Sequence, residues 1–461
     1  MTTLLPFHVF NVRDFGATGQ KSDDAQLAIQ SAIDACASTG GGMVYLPPGQ
    51  YTSGTLHLRS HVRLHLEAGA TLYSSKNRAA FDKQGLLYAE DAENITLEGR
   101  GTIHGQATYE RRLHDIRDWY IYPNQLLAEK AGLPLLRPFP TPDSYGNLVQ
   151  FIRCSDVQIR DLSFVHSPSW TMHLFCCDRV RIDGVFVSTS LEDGVWADGI
   201  DPDGCRDLCI ANCTIETGDD ALVFYSSSIY GPARACENIT VTNCRLSSAS
   251  SALKFCDGNQ VAIRNVTIEN CVITNSNRGI AFMVFDGGVI ENVIVTNVVV
   301  ECRPFDWFWW GDADPIHFNL IRRSEIDPNI DVAKEPAIGA MRNIMLRNII
   351  AQGAGSCRIH GNQDSPIENL TLENVRLTFA DAPHAPLDKS GDGLSIDHVR
   401  NLRLSDVEIR WATSQHSHWR SALVVEHARD VILDGVRAQS SPSAPDAPAV
   451  VLKDVGDVIT S

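Results

Sequence analysis

The chain has 461 residues, 44% of them hydrophobic and 21% charged, the make-up of a folded protein rather than a disordered one. Its 39 Lys and Arg stand against 56 Asp and Glu, a formal net charge of −17; with no basic cluster to override that field, nucleic acid, anionic membrane and polyanionic substrates are disfavoured as partners. No run of 18 apolar residues occurs, so no membrane-spanning helix is expected.

The opening MTTLLPFHVFNVRDFG lacks a basic region followed by an apolar one, so it does not read as a secretory signal. The 13 Cys are an odd number, with no CxxC pair and no His/Cys group at metal spacing. They read as free thiols in a reducing compartment, which favours a cytoplasmic location and implies no metal and no cofactor. A chain trimmed of its leader would look the same, which keeps a secreted or periplasmic location open.

Residues 22–38, SDDAQLAIQSAIDACAS, carry apolar residues at helical spacing. Ser22 is the expected N-cap, Asp23 and Asp24 suit the positive end of the helix dipole, and Gly40 to Gly42 stop the helix. This helix is expected to serve as a lid at the N-terminal end of the fold.

From residue 93 a short pattern recurs: Asn or Asp, alternating apolar and polar residues, then Asn, Asp or Gly with an apolar residue after it. Its copies include ENITLEGR (93–100), SDVQIRDL (155–162), DRVRIDGV (178–185), RDLCIANC (206–213), ENITVTNC (237–244) and RNVTIENC (264–271). It continues through ENVIVTNV (291–298), RNIMLRNI (342–349), ENLTLENV (368–375), RNLRLSDV (400–407) and RDVILDGV (429–436). Period-2 alternation predicts strands, and a repeat of roughly 27 residues suits one coil of a parallel β-helix better than a four-stranded propeller blade. Coils stacked about 4.8 Å apart let Asn side chains form a ladder and let Ile, Val, Leu and Cys stack inside. Cys213, Cys244 and Cys271 share one repeat position and fit that interior role.

The fold class expected is therefore all-β, a single right-handed parallel β-helix of about 10–12 coils over residues 1–461. Two long gaps hold insertions, at 104–147 and 301–341, where specificity usually resides. The last coil, near 429–461, needs a cover from its tail or from a partner, which leaves homo-oligomerisation open.

These residues resemble the polygalacturonase-like glycoside hydrolases, family 28, over nearly the whole length. VRDFGATGQKSDDAQLAIQSAIDACASTGGGMVYLPPGQYTSGTLHL is similar to that family's cap and first coils. SPSWTMHLFCCDRVRIDGV resembles the coil before the catalytic ones. ADGIDPDGCRDLCIANCTIETGDD resembles its Asn-Thr-Asp-Gly-Ile-Asp segment followed by Gly-Asp-Asp at the family's spacing. The resemblance implies inverting hydrolysis of a glycosidic bond, with Asp219 as general acid and Asp198 and Asp220 holding and deprotonating water. The residues alone agree. Asp198 lies about one repeat before Asp219 and Asp220, so coil stacking is expected to gather three acids that cannot all stay ionised cheaply. Glycosidases need that split between one protonated and one charged carboxyl. As turn residues or calcium ligands the acids would have a blander role.

The pattern also breaks. Position 196–198 reads Trp-Ala-Asp. The family's Gly-His-Gly falls at Ala249-Ser250-Ser251, and its Arg-Ile-Lys, which grips a uronate carboxylate, falls at Ala281-Phe282-Met283. Each lost charge-assisted bond is worth about 1.5–3 kcal/mol, so plain polygalacturonate is a poor substrate and a neutral or atypical sugar a better one. Lys254 and Arg278 are candidate replacements; a lysine on an outer strand face and an arginine in a turn salt bridge are the plainer readings.

Further sugar contacts are expected from His173 and from the aromatic loop with Trp307, Trp309 and Trp310, whose flat rings suit sugar faces or simply pack the loop. Bacterial family members read similarly to Trp-Trp-Gly-x-Gly-Glu-Pro-Ile there, which adds Asp314 beside Pro315-Ile316, with His317 next in line. The expected partner is an oligosaccharide cleaved from its end. Two other readings stay open: a β-helix lyase or epimerase using Lys254 or Arg278 and calcium, and a non-catalytic carbohydrate-binding β-helix.

Overall fold

The computed structural model describes residues 8–112, 129, 132, 139–305, 311–327, 329–381, 391–412 and 418–460. They form two compact units, Met1–Glu110 with Thr141–Gly218 and Arg111–Pro140 with Asp219–Ser461. In both units the strands stack in parallel, as coils of a β-helix.

The first unit opens on helix α1, Gln26–Ser38, which buries Ile29, Ala32, Ile33 and Cys36. That i, i+3, i+4, i+7 stripe lies against Val9–Asn11, Gly42–Leu46, Leu56–His57 and Val62–Leu66, so the helix covers the first coil as a lid. Its start differs from the sequence expectation. Ser22 bonds Asp23 instead of capping, because Asp24 forms a parallel bridge with Thr52 and the Ala25 amide donates to Thr52 O at 2.8 Å. This extended pairing postpones the helix by four residues, and Asp24 Oδ1 accepts from the Gln26 amide at 2.9 Å. The stop is as read: Gly41 adopts φ 113°, and a Cβ there would meet His61 O at 2.5 Å.

The repeat copies become equivalent strands. Glu93–Gly99, Ser155–Arg160, Asp178–Asp183 and Arg206–Ala211 run in register, with Ile95, Val157, Val180 and Leu208 stacked on one another, and Leu97, Ile159, Ile182 and Ile210 likewise. All eight are buried.

In the second unit the same strand recurs as Cys236–Thr242, Ala262–Glu269, Val289–Cys302, Ala340–Gly353, Ile367–Phe379, Leu394–Trp411, Leu423–Asp434 and Val450–Thr460. A second set of strands, Leu222–Phe224, Ser251–Phe255, Arg278–Val284 and Asp314–Leu320, packs Phe224, Phe255, Phe282 and Phe318 into an inner column with ring centroids 5.4, 4.3 and 4.2 Å apart. The residues just before those phenylalanines point the other way, because strand side chains alternate. Val223, Lys254, Ala281, His317 and Arg358 therefore form one column on the side opposite the phenylalanines. The span 312–341, read as part of an insertion, contributes a coil strand of its own, Asp314–Leu320.

The asparagine ladder is present. Asn265, Asn292, Asn343, Asn369 and Asn401 each donate to the Asn one coil earlier at 2.7–3.2 Å, and Asn297, Asn348 and Asn374 form a second ladder. Each sits in the left-handed region, near φ 50–57°, a conformation Asn tolerates better than other residues with a Cβ. Replacing Asn292 by Ala removes two amide bonds and forces Ala to φ 57°. We expect a loss of about 3–4 kcal/mol in denaturant unfolding, from roughly 1 kcal/mol per bond and 1–2 for the backbone. Asn292→Gly should lose less.

The 13 cysteines are all free thiols, 11 of them buried. Cys154 stands over Cys177, and Cys244 over Cys271, as core residues on neighbouring coils. Among the described residues no helix is long and apolar enough to cross a membrane.

Candidate active site

The acidic motif is the turn that leads into the strand Leu222–Phe224. Gly218 precedes it, at the end of the first unit, and a Cβ there would lie 2.1 Å from Ser190 O and 2.6 Å from Gly194 Cα. Only glycine fits that approach. Gly218→Ala should therefore cost about 1–3 kcal/mol from overpacking, read as a lower thermal midpoint, and should misplace Asp219. The Gly218 amide donates to Thr189 Oγ1 at 2.9 Å, and the same hydroxyl donates to Ala197 O at 3.1 Å. One side chain thus fixes the residue before Asp219 and the residue before Asp198.

Asp219 and Asp220 are 3% and 2% exposed. Asp219 O accepts from Ser248 Oγ at 2.7 Å, and its Oδ1 accepts from the Asp220 amide at 2.9 Å. Asp220 is braced by its own set of donors. Its Oδ1 accepts from Ser250 Oγ at 2.8 Å and the Ser251 amide at 3.0 Å, and its Oδ2 from Lys254 Nζ at 2.9 Å. Ser250, at the position where the resembling family carries histidine, thus becomes a ligand of Asp220.

Lys254 Nζ also lies 3.2 Å from Asp257 Oδ1. Burial pulls the ammonium toward neutrality, but Asp220 and Asp257 outweigh it and hold its pKa well above the usual value. Asp257 moves the other way. Burial would raise it, and Lys254 and Arg323 overcome that and keep it ionised.

A second cluster lies farther along the same face. Arg278 is 6% exposed and its Nε lies 3.2 Å from Asp314 Oδ2. His317 Nδ1 contacts that same oxygen at 2.6 Å. Burial, helped by the Arg278 charge, lowers the His317 pKa despite Asp314, so the ring is neutral near pH 7. Ala281 stands in register between Lys254 and His317 and leaves the column short of a side chain there. Lys254 and Arg278 therefore both carry internal anionic partners.

In the first unit, His173 is fully buried, edge-on to Trp170 with centroids 4.5 Å apart, and its Nε2 lies 3.5 Å from Asp203. Asp198 is 2% exposed and its carbonyl accepts from the Thr171 amide at 2.9 Å. Two residues before it, Trp196 adopts φ 68° and is 37% exposed. A left-handed tryptophan is strained by roughly 1–3 kcal/mol, a pattern that clusters at functional sites. Sequence reasoning passed over Trp196 as a mere departure from an asparagine, and missed Asp257, Arg323 and Asp286. Only Lys254-x-x-Asp257 offered a local signal. Trp307, Trp309 and Trp310 lie outside the described residues. In the second unit Asp397, His398 and His427 bring one donor atom each within 4.8 Å of one another. Both Nδ1 atoms already face Asp397 Oδ1, at 2.9 and 2.8 Å.

The comparisons with known proteins agree with this architecture. A family model described as rhamnogalacturonase A/epimerase, pectate lyase-like, matches residues 9–116, and one described as a right-handed β-helix region matches residues 143–302. An exopolygalacturonase of Thermotoga maritima aligns with a TM-score of 0.64 at 21% identity, over 90% of this chain and 94% of that one. The chain is thus a right-handed parallel β-helix. Among curated relatives, a probable polygalacturonase of Vitis vinifera is 26% identical over 242 residues, 48% of this chain and 44% of the relative. A mannuronan C5-epimerase of Azotobacter vinelandii is 49% identical over 107 residues, 20% of this chain and 12% of the relative. The chain spans less than half the length of these two relatives. Within the β-helices it is polygalacturonase-like.

Proposed function

We propose that the chain is an inverting glycoside hydrolase acting from the end of a pectin- or plant-polysaccharide-derived oligosaccharide with a neutral or atypical sugar. The observation that carries this reading is the Asp219–Asp220 turn, in which two nearly buried carboxyls stand in different surroundings. Asp220 is fixed by Ser250, Ser251 and Lys254, and Asp219 Oδ1 accepts from the Asp220 amide. In this reading Asp219 gives its proton to the leaving oxygen as the glycosidic bond breaks. Water attacks the anomeric carbon from the opposite face, and its proton passes to Asp220 or Asp198.

The internal pairing of Lys254 and Arg278 supports a sugar without a carboxylate, since a second anion would compete with Asp220, Asp257 and Asp314 for the same cations. Trp196, the exposed tryptophan among the described residues, offers a flat face for a pyranose or furanose ring. The end-acting mode draws support from the exopolygalacturonase likeness. His173, Asp314, His317, Trp307, Trp309 and Trp310 remain proposed sugar contacts.

The local epimerase match favours a second reading, proton abstraction beside a uronate carboxylate. Lys254 is ill suited as its base, because two carboxylates keep it charged. One experiment separates the two readings: incubation with aryl glycosides and with pectin- and hemicellulose-derived oligosaccharides, with and without EDTA. The hydrolase reading expects new reducing ends, no ultraviolet-absorbing unsaturated product and no effect of EDTA. An unsaturated product or loss of activity with EDTA supports the alternative.

A further inference from the structure

Lys254 is one link in a longer buried chain of charge. Asp220 Oδ2 and Asp257 Oδ1 share its ammonium, at 2.9 and 3.2 Å. The other Asp257 oxygen accepts from Arg323 Nη2 at 3.0 Å, and Arg323 grips Asp286 with Nε at 2.6 Å and Nη2 at 2.8 Å. The order Asp220, Lys254, Asp257, Arg323, Asp286 alternates sign, and every member's side chain is at most 23% exposed. The members come from four separate places: the acidic turn, the strand Ser251–Phe255 with the turn after it, the turn after Arg278–Val284, and the 3₁₀ turn Arg323–Glu325. Arg323 lies 66 residues from Asp257. A surface ion pair would not need such convergence.

We propose that Asp257 and Arg323 are positioning residues for hydrolysis. Asp257 draws part of the Lys254 charge away from Asp220, and Arg323, braced by Asp286, keeps Asp257 in place to do so. Asp220 then keeps enough acceptor strength to hold and deprotonate the attacking water. Neither residue touches substrate, and both act through Lys254. This rests on the hydrolase reading and on Asp220 as a water-holding acid.

The test is a double-mutant cycle on Lys254→Met and Asp257→Asn, with reducing ends released from a partial acid hydrolysate of pectin as the readout and circular dichroism confirming the fold. Asp257→Asn should lower the saturated rate about 10- to 100-fold, the size of a weakened acid–base contribution, and leave the half-saturating concentration within about twofold. In the Lys254→Met background the same change should alter the rate by less than about threefold. Arg323→Met should reproduce the fall and Arg323→Lys should restore most of it, which also serves if Lys254→Met does not fold.

An equal fall with and without Lys254 would show that Asp257 acts on the fold alone and would overturn the inference. So would an Asp257→Asn rate equal to wild type. Wild-type protein that releases nothing from the hydrolysate, from the oligosaccharides or from the aryl glycosides defeats the hydrolase reading instead, and this inference with it.

Discussion

Asp219→Asn should cut the hydrolysis of an unactivated oligosaccharide by about 10³-fold, within the 10²–10⁴ range of general acid catalysis, and leave the fold intact. Asparagine keeps the size of the side chain, and its amide oxygen still accepts from the Asp220 amide, now at 2.9 Å from Asp219 Oδ1. What it lacks is a proton to give. An aryl glycoside with an acidic leaving phenol needs little protonation, so the same variant should lose far less on it. That contrast identifies the acid, whereas a folding defect would lower both rates alike. Equal rates for the variant and wild type on the oligosaccharide would remove Asp219 from the mechanism.

Lys254→Met should be the most destabilising single change at the site. It leaves Asp220 without a cation and Asp257 with Arg323 alone, both nearly buried. Breaking a buried pair from one side costs about 3–5 kcal/mol, because the remaining charge is uncompensated. The pH dependence has a definite sign. Lys254 has a raised folded pKa, so its contribution is complete below roughly pH 10.4 and fades only as pH climbs through the folded value. Asp257 has a lowered folded pKa, so its contribution is complete above roughly pH 3.9 and fades as pH falls through the folded value. Urea unfolding should therefore show a near-constant deficit for the variant between about pH 5 and 9. The deficit should shrink in acid, where protonation relieves the stranded carboxylates. A deficit below about 1 kcal/mol at pH 7 would mean that the pairs are solvated.

The coils were legible because their cause is local and repeated. Asn at a fixed turn and alternating apolar residues recur at similar spacing, 26–27 residues for the ladder bonds Asn265–Asn238, Asn292–Asn265 and Asn369–Asn343 and 32 for Asn401–Asn369. The step of 51 residues between Asn292 and Asn343 is still one rung. The cap of α1 was not legible. Ser22 is a good N-cap by type, but the bridge from Asp24 to Thr52, made 28 residues away, decides where the helix begins.

The acid pair could be found from its motif, Lys254 stood out as a cation in an apolar alternation, and Arg278 as one just before the place of the missing basic pair. Their partners could not. Nothing near Arg323 announces that it meets Asp257 and Asp286, because coil stacking and the path of the chain after Leu320 bring them together. Likewise nothing in the letters of Trp196 shows a left-handed backbone.

The most direct measurement of the proposed mechanism is the configuration of the first sugar released, followed by proton NMR of the anomeric signals before mutarotation sets in. Carboxylates that hold a water opposite the leaving group give an inverted anomer, and that is the product expected. A first product of retained configuration would mean that one of these acids bonds to the sugar itself, and the roles given to Asp219 and Asp220 would fall.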